Sequence, residues 1–582
     1  MSNQELLQNR VKRAKIVRRS SINNPVTIIS SEQGLEFGND SNTLLDDITL
    51  QQKTTAMLKD AGGIIDALHN MDNNKLSLTQ INNMIPNFSK NSDSSSHEYS
   101  NCYTQIYPAI QPINNLLKQN HFPVPGPVTK SIMAEYLSKK KHVDCIINLR
   151  CITVGQKSYG DEKRFLCPPP TIELINLNGW KNLKIEVEKF INEIVLKHGD
   201  TVQKGQILTN IALQNDPSKL LGTARSYGIQ NVKEMPVEFN ENTGLAILKN
   251  VYFTHISTIK STHISAHLYY SCGLDLGQFD TDDIRIISKP SKKKSNAVRN
   301  ETKHLFIASG LKIALFARIR NQVVHTKFVH FHENNFVSSP SHWGCLEIYI
   351  IDEKKTNLDD KENETFSYKD GNLCFGNIVK IIDGKSGLGL PLLRILKPEK
   401  TIIDINEELL LEDSNEPVCQ LQKVCFQYLY DPIKFISLKS DNVTMSDASK
   451  EDDGKLKVAE DCIIQIVSAK EKEETFYCST GITPFPITPI PTVLHICDCG
   501  ADSDYRIEIS GYNFVPNLIA WVGDEQLLTI FKSGGQLTAI PNKEQYLMFK
   551  IFYEQKNMKA LVLSISRDDG VIFGTNFTIK PT

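Results

Sequence analysis

Six consecutive residues, Tyr159-Gly160-Asp161-Glu162-Lys163-Arg164, set a phenol, two carboxylates, an ammonium and a guanidinium side by side. A guanidinium fork matches O6 and N7 of guanine in the major groove, a glutamate accepts from the amino group of cytosine, and tyrosine and lysine hold phosphate oxygens. Taken alone, such a stretch is also ordinary for a solvated polar hairpin. The flanks determine how it is held. Asn148-Leu149-Arg150-Cys151-Ile152-Thr153-Val154 is β-rich, Tyr159-Gly160-Asp161 supplies turn chemistry, and Pro168-Pro169-Pro170 ends the next strand within a few residues. The pattern predicts a rigid hairpin from which Lys163 and Arg164 project.

A second constellation is Arg318-Ile319-Arg320-Asn321-Gln322. On a strand end, alternation sends Arg318 and Arg320 to one side and Ile319 to the core, so two guanidiniums and the Gln322 amide converge on one surface. A salt-bridged β-bulge is the alternative. The surrounding charge favours a polyanion: residues 291–330 carry nine basic side chains, Lys292, Lys293 and Lys294 among them, against one acidic. Residues 351–370 reverse this with seven acidic against four basic, so the formal charge of -2 hides a dipolar molecule. His325, His330 and His332 suit a nucleic-acid face or plain surface better than a metal centre. The chain has no G-x-S-x-G elbow, P-loop or HExxH pair. No enzyme, cofactor or metal is expected.

The 582 residues allow several domains, and 40% hydrophobic content is enough for real cores. Thirteen cysteines without paired CxxC spacing, and no opening signal peptide, read as reduced intracellular thiols. Cys497-Asp498-Cys499 is the one close pair and a poor metal motif. Cys167 and Cys425 read as buried small hydrophobes. No apolar run approaches membrane-spanning length.

Residues 1–122 are dominated, beyond position 20, by Asn, Ser, Asp, Gln and Thr and read as a mostly disordered tail with a short helix near 54–71. Lys12 to Arg19 is a basic cluster that suits a nuclear localisation signal or a solvated helix. A helix is expected over 129–140, with Ile132, Met133, Tyr136 and Leu137 at helical spacing behind a Thr129 or Ser131 cap. Thereafter short β-runs alternate with Gly, Asn and Asp turns, among them 246–248, 265–270, 346–351 and 462–467, which indicates all-β sandwiches or barrels. Residues 181–197 mix helix and strand periodicity. No threefold repeat is evident.

Five blocks in one order give the chain a family likeness: Gln156 to Pro170; Ile287-Ser288-Lys289-Pro290-Ser291-Lys292-Lys293-Lys294; Ile307 to Gly310 running into Ala314 to Gln322; Pro484 to Pro491; and Gly511 to Leu518 with Trp521-Val522-Gly523-Asp524. Over about residues 128–582 it resembles the CSL family (Suppressor of Hairless, RBP-J kappa) of Notch-pathway transcription factors. The resemblance implies a Rel-like immunoglobulin sandwich at 123–290, with a divergent segment at about 174–230 decorating it away from DNA. A β-trefoil at 291–478 and an immunoglobulin-like IPT/TIG sandwich at 479–582 would follow. It implies a monomer on double-stranded DNA in the nucleus, switched by exchange of corepressors for the Notch intracellular domain and a coactivator. A scaffold kept as an interaction module, or as a constitutive repressor without Notch binding, is the alternative.

By that resemblance Arg164, Glu162 and Gln322 contact bases of a G-rich site, and Tyr159, Lys163, Arg318, Arg320, Asn321 and Lys292 to Lys294 hold the backbone. Asn321 stands where relatives usually have serine. An exposed apolar pocket of Phe366, Tyr368, Gly389, Leu390 and Pro391 would take a Trp-containing partner peptide. Tyr368 and Gly389 depart there from the usual valine and alanine.

Overall fold

A computed structural model describes residues 15–16 and 126–581, apart from 161, 198–215, 217, 227–233, 254–259, 289–304, 321–323, 359–364, 405–415, 452–454, 480, 484 and 502–503. The helix expected near 54–71, Lys292 to Lys294, Asn321 and Gln322 therefore lie outside the described residues, as does the side chain of Arg320. The described elements belong to one unit made of Met1–Arg18 and Ala109–Thr582.

The chain is all-β, with three α-helices among the described residues. The first, Lys130–Val143, starts where the Thr129 side chain accepts from the Ile132 amide, an N-cap that satisfies one orphan donor. It buries Met133 and Tyr136, and Tyr136 stacks on Tyr477 at 5.3 Å. The second, Leu177–Lys197, resolves the mixed periodicity of 181–197 as helix. Trp180, Leu183, Val187, Phe190 and Ile191 are buried, the i, i+3/i+4 stripe of one face. Gly179 is required at its start, because a Cβ there would lie 2.2 Å from the Asp144 carbonyl oxygen. The third, Lys543–Glu554, has a full capping box between Asn542 and Gln545 and buries Tyr546 and Phe549. It follows a clear local signal that the strand-dominated sequence reading passed over.

The first sandwich contains a four-stranded sheet in the order Asp275–Asp280, Ile264–Tyr270, Leu220–Ser226, Met235–Val237, all antiparallel. The strands Cys145–Ile152, Thr171–Ile175 and Leu245–Ile247 lie side by side in a second sheet. In the C-terminal domain Thr492–Cys499, Arg506–Tyr512, Gln536–Ile540 and Leu528–Ser533 form one sheet, and Leu518–Val522, Val562–Arg567 and Val571–Thr578 lie in another.

Between them in sequence lies a β-trefoil whose threefold axis is visible as a closed ring of backbone hydrogen bonds. The Ile307 amide donates to the Val418 carbonyl (2.9 Å), Val418 to Leu373 (2.7 Å), and Leu373 to Ile307 (2.7 Å). Three residues beyond each corner the chain takes positive φ, at Gly310 (81°), Gly376 (91°) and Leu421 (63°). Two glycines meet that demand without strain, whereas Leu421 adopts the left-handed region despite its Cβ. Ile307, Leu373 and Val418 share one core with Ile348, Ile350, Val379, Ile381, Ile395, Phe426 and Ile466, alternate positions of successive strands.

The run expected at 462–467 is far longer. Glu460–Cys462 is a 3-10 turn and Ile464–Cys478 one 15-residue strand. Its first part pairs with Leu311–Arg320 and Gln422–Tyr428 of the trefoil. Ala469 to Phe476 pair with Cys145–Ile152 of the first sandwich, and Tyr477 and Cys478 with the C-terminal domain. A single backbone thus laces all three domains, and residues 469–478 belong to the sandwich sheets rather than to the trefoil.

Candidate nucleic-acid interface

The expected hairpin is instead a docked loop. Val154–Gln156 pairs in parallel with Ile284–Ile287, and the loop then leans on residues 251–253. The Ser158 amide donates to the Phe253 carbonyl (2.8 Å) and the Leu166 amide to Val251 (2.7 Å). Phe165 makes only an isolated bridge to Tyr252, so no second hairpin strand forms. The prolines precede the strand Thr171–Ile175 instead of ending one, because three residues without N–H cannot donate to a ladder.

The tip is a tight turn in which the Glu162 amide donates to the Tyr159 carbonyl at 3.0 Å. Gly160 sits there at φ 55° with nothing within 4 Å of a would-be Cβ, so its role is conformational rather than spatial. The buried Ser158 hydroxyl accepts from the Arg164 amide at 2.9 Å and anchors the following residue. Arg164 then turns its fork onto Glu162, Nε to Oε1 at 3.1 Å and Nη2 to Oε2 at 2.9 Å. This pairing holds the Glu162 carboxyl below its ordinary range and raises the Arg164 guanidinium. The guanidinium also lies 5.5 Å from the Tyr159 ring centroid.

One donor atom is left over: Arg164 Nη1 is buried and makes no hydrogen bond. That nitrogen faces protein rather than solvent, so the fork meets an external acceptor only by turning out of this arrangement. Lys163 Nζ stands 5.4 Å from the Tyr252 ring, and Phe165 packs edge-on against the same ring. Ser158 and Tyr252 were not among the sequence candidates. A serine before the turn is a visible hydrogen-bonding signal, whereas Tyr252 lies too far along the chain for any local pattern to reveal.

In the trefoil, Leu311–Arg320 and Val324–His332 form a hairpin. Arg318 is exposed and Ile319 packs against the trefoil core, the alternation of a pleated strand. The Arg318 guanidinium lies 5.8 Å from the Phe316 ring and its charge favours the thiolate of Cys167. Burial pushes that thiol up, and Arg318 offsets part of the shift. Cys167 is half-buried rather than fully buried, and packs against the hydrophobic core as a small apolar side chain. Cys425 is fully buried. Nearby, the buried Trp343 of the trefoil donates its indole N–H to the Pro169 carbonyl at 2.8 Å. The segment that follows Arg164 is therefore tied to the trefoil.

Behind this junction lies a charged cleft. Arg150 pairs with Glu173 (2.6 Å) and Glu471 (3.5 Å), and Lys312 with Glu471 (2.5 Å). His330 lies here with His342 and His332, ring centroids 5.8 and 6.3 Å away. Burial, reinforced by the other imidazoles, pushes it down to about 4. His325, grouped with His330 and His332 on sequence, is exposed. Among the described residues no His, Cys, Asp or Glu group has metal-holding geometry.

The residues expected to take a partner peptide are packed to different degrees. Phe366 is buried with Ile351 and Ile378, and the Tyr349 and Tyr368 rings close over that cluster 4.9 Å apart. Leu390 is buried in the trefoil core, while Tyr368 and Pro391 are half-buried. Tyr368 fills the space that a smaller side chain would leave. Gly389 is buried, with Ile382 Cγ2 at 2.8 Å and the Ile381 carbonyl oxygen at 3.0 Å from a would-be Cβ. The edge Thr365–Phe366 pairs in parallel with Lys15–Ile16, from the basic N-terminal cluster, and these two residues are extended rather than helical.

Three family models match the chain. Residues 146–301 match one described as "LAG1, DNA binding", 332–462 one described as "Beta-trefoil DNA-binding domain", and 490–580 one described as "TIG domain". Among curated relatives, the mouse "Recombining binding protein suppressor of hairless-like protein" is 28% identical over 394 residues, covering 66% of this chain and 70% of the relative. The human protein of the same name is 27% identical over 448 residues, covering 74% and 78%. The fission yeast "Transcription factor cbf11" is 27% identical over 262 residues, covering 44% of this chain and 36% of its own.

Proposed function

This chain is a divergent member of the CSL family, a DNA-binding regulator of transcription and not an enzyme, and from that premise we propose how it reads its site. The first sandwich inserts Arg164 and Glu162 into the major groove while the trefoil lays Gln322 along the adjoining minor groove. Tyr159, Lys163, Arg318, Arg320, Asn321 and Lys292 to Lys294 hold phosphates, positioning the protein without selecting sequence. The observation that carries this reading is the Arg164–Glu162 fork pair at the tip of the docked loop, on a segment whose Pro169 carbonyl is held by Trp343 of the trefoil. The chain acts in the nucleus as a monomer on a G-rich duplex. Selection from a random double-stranded DNA pool tests it: a short G-rich motif is the expected outcome, and a pool without enrichment overturns the reading.

We further propose that partner exchange at the trefoil, corepressors against a Notch-type Trp-containing peptide, sets the transcriptional output. A second reading, a scaffold that represses constitutively without Notch binding, draws support from the burial of Phe366 and Leu390. It is also favoured by the occupied edge at Thr365–Phe366. Calorimetric titration of a Notch-derived peptide separates the two: saturable heat supports the switch, and its absence at peptide concentrations well above micromolar supports the repressor.

A further inference from the structure

We propose that Cys497 and Cys499 form a reversible dithiol–disulfide site on the C-terminal domain. Both lie on Thr492–Cys499, an edge strand of its four-stranded sheet. Residues two apart on a strand share a face, and here the Cys499 thiol donates to Cys497 with the sulfurs 3.4 Å apart. Asp498 between them fixes the backbone: one carboxylate oxygen accepts from the Tyr505 hydroxyl and the other from the Lys580 amide. Across the sheet Cys497 faces Glu508 and Cys499 faces Arg506, and those two side chains pair with each other at 3.1 Å.

Accessibility favours Cys497, the one exposed thiol among the described cysteines, while Cys167, Cys374 and Cys478 share the half-buried state of Cys499. Cys497 is exposed and Cys499 half-buried, whereas Cys145, Cys151, Cys272, Cys345, Cys419, Cys425 and Cys462 are buried. Burial pushes these buried thiols up, away from the reactive thiolate. Cys497, the exposed acceptor of the Cys499 thiol, meets an oxidant first, and Cys499 stands beside it to resolve the product.

With a hydroperoxide as oxidant, the Cys497 thiolate attacks the peroxide oxygen, forming a sulfenic acid and releasing the alcohol or water. Cys499 then attacks that sulfur, its proton leaving with the expelled hydroxide as water, and the S–S bond forms. Two thiols and one hydroperoxide become one disulfide, one alcohol and one water, or two waters when the oxidant is hydrogen peroxide. Two residues of extended strand separate Cα atoms by about 6.6–6.8 Å, the upper end of the roughly 4.4–6.8 Å that a disulfide spans. The bond therefore closes under strain, and a strained, exposed disulfide is readily reduced.

The test uses the full chain. After limiting hydrogen peroxide and thiol alkylation, mass mapping should find the 497–499 peptide unalkylated and two hydrogens lighter, reverting with millimolar glutathione. Phenylarsine oxide should bind at one per chain, and because its second sulfur bond is intramolecular, Cys497→Ser or Cys499→Ser should weaken retention by about 100-fold. Both variants alter surface thiols and leave the core intact. Independent alkylation of both cysteines after peroxide, preferential oxidation of Cys167, Cys374 or Cys478, or a disulfide resistant to glutathione would each overturn the proposal.

Discussion

Arg164→Ala is the most direct perturbation of the reading surface. The wild-type guanidinium is already oriented, since Glu162 takes Nε and Nη2 and the Tyr159 ring lies beside it. Its amide is held by Ser158, so truncation at Cβ leaves the backbone of the loop in place. A bidentate arginine–guanine contact discriminates by about 1–3 kcal/mol, which at tenfold per 1.4 kcal/mol is about 5- to 150-fold in affinity. Arg164→Lys should recover little of it, because an ammonium cannot reproduce the planar fork. Fluorescence anisotropy on the selected duplex and on single-base variants reads both affinity and preference. In the Arg164→Ala protein one guanine position should become tolerant of substitution while the others keep their penalties. Glu162→Gln combined with Arg164→Ala should cost less than the sum of the two changes, since the carboxylate acts in part by orienting the guanidinium. Unchanged affinity together with unchanged base preference for Arg164→Ala would refute the reasoning.

Lys163→Ala and Arg318→Ala should weaken all duplexes alike, each lowering the slope of log affinity against log salt by about one; a change confined to one base position would contradict their backbone role. Gly389→Ala restores the methyl usual in relatives, yet it meets Ile382 at 2.8 Å and Lys380 Cε at 2.9 Å, so urea unfolding should show a loss of about 1–3 kcal/mol from overpacking. Asp144 is buried beside Tyr136, whose hydroxyl donates to it at 2.9 Å, and burial raises its carboxyl to about 6. The folded state therefore binds the proton more tightly than the unfolded chain, and stability falls as pH rises from about 4 through 6. At about 1.4 kcal/mol per pKa unit, Asp144→Asn should remove up to about 3 kcal/mol of that pH dependence, measured as the difference between unfolding free energies at pH 4 and pH 7.

What the sequence determined by itself is local: the Thr129 cap and the helix behind it, the Tyr159 to Arg164 turn with its donors, and the alternation that sends Ile319 inward and Arg318 outward. Each rests on contacts within a few residues, so composition and spacing carry it. Tertiary structure decided what closes over long separations. The ring of Ile307, Leu373 and Val418 makes the trefoil, yet it is closed by backbone groups far apart in the chain, and three aliphatic side chains mark no repeat in a sequence rich in them. The docking of the Arg164 loop on residues 251–253 replaced the expected hairpin, because the partner that satisfies its amides lies far along the chain. The strand Ile464–Cys478 outran its apolar run, since its central Lys470-Glu471-Lys472-Glu473-Glu474 finds pairing partners in another domain. Phe366 and Leu390 are buried and Tyr368 half-buried because side chains that are exposable in sequence pack against core clusters assembled from distant strands.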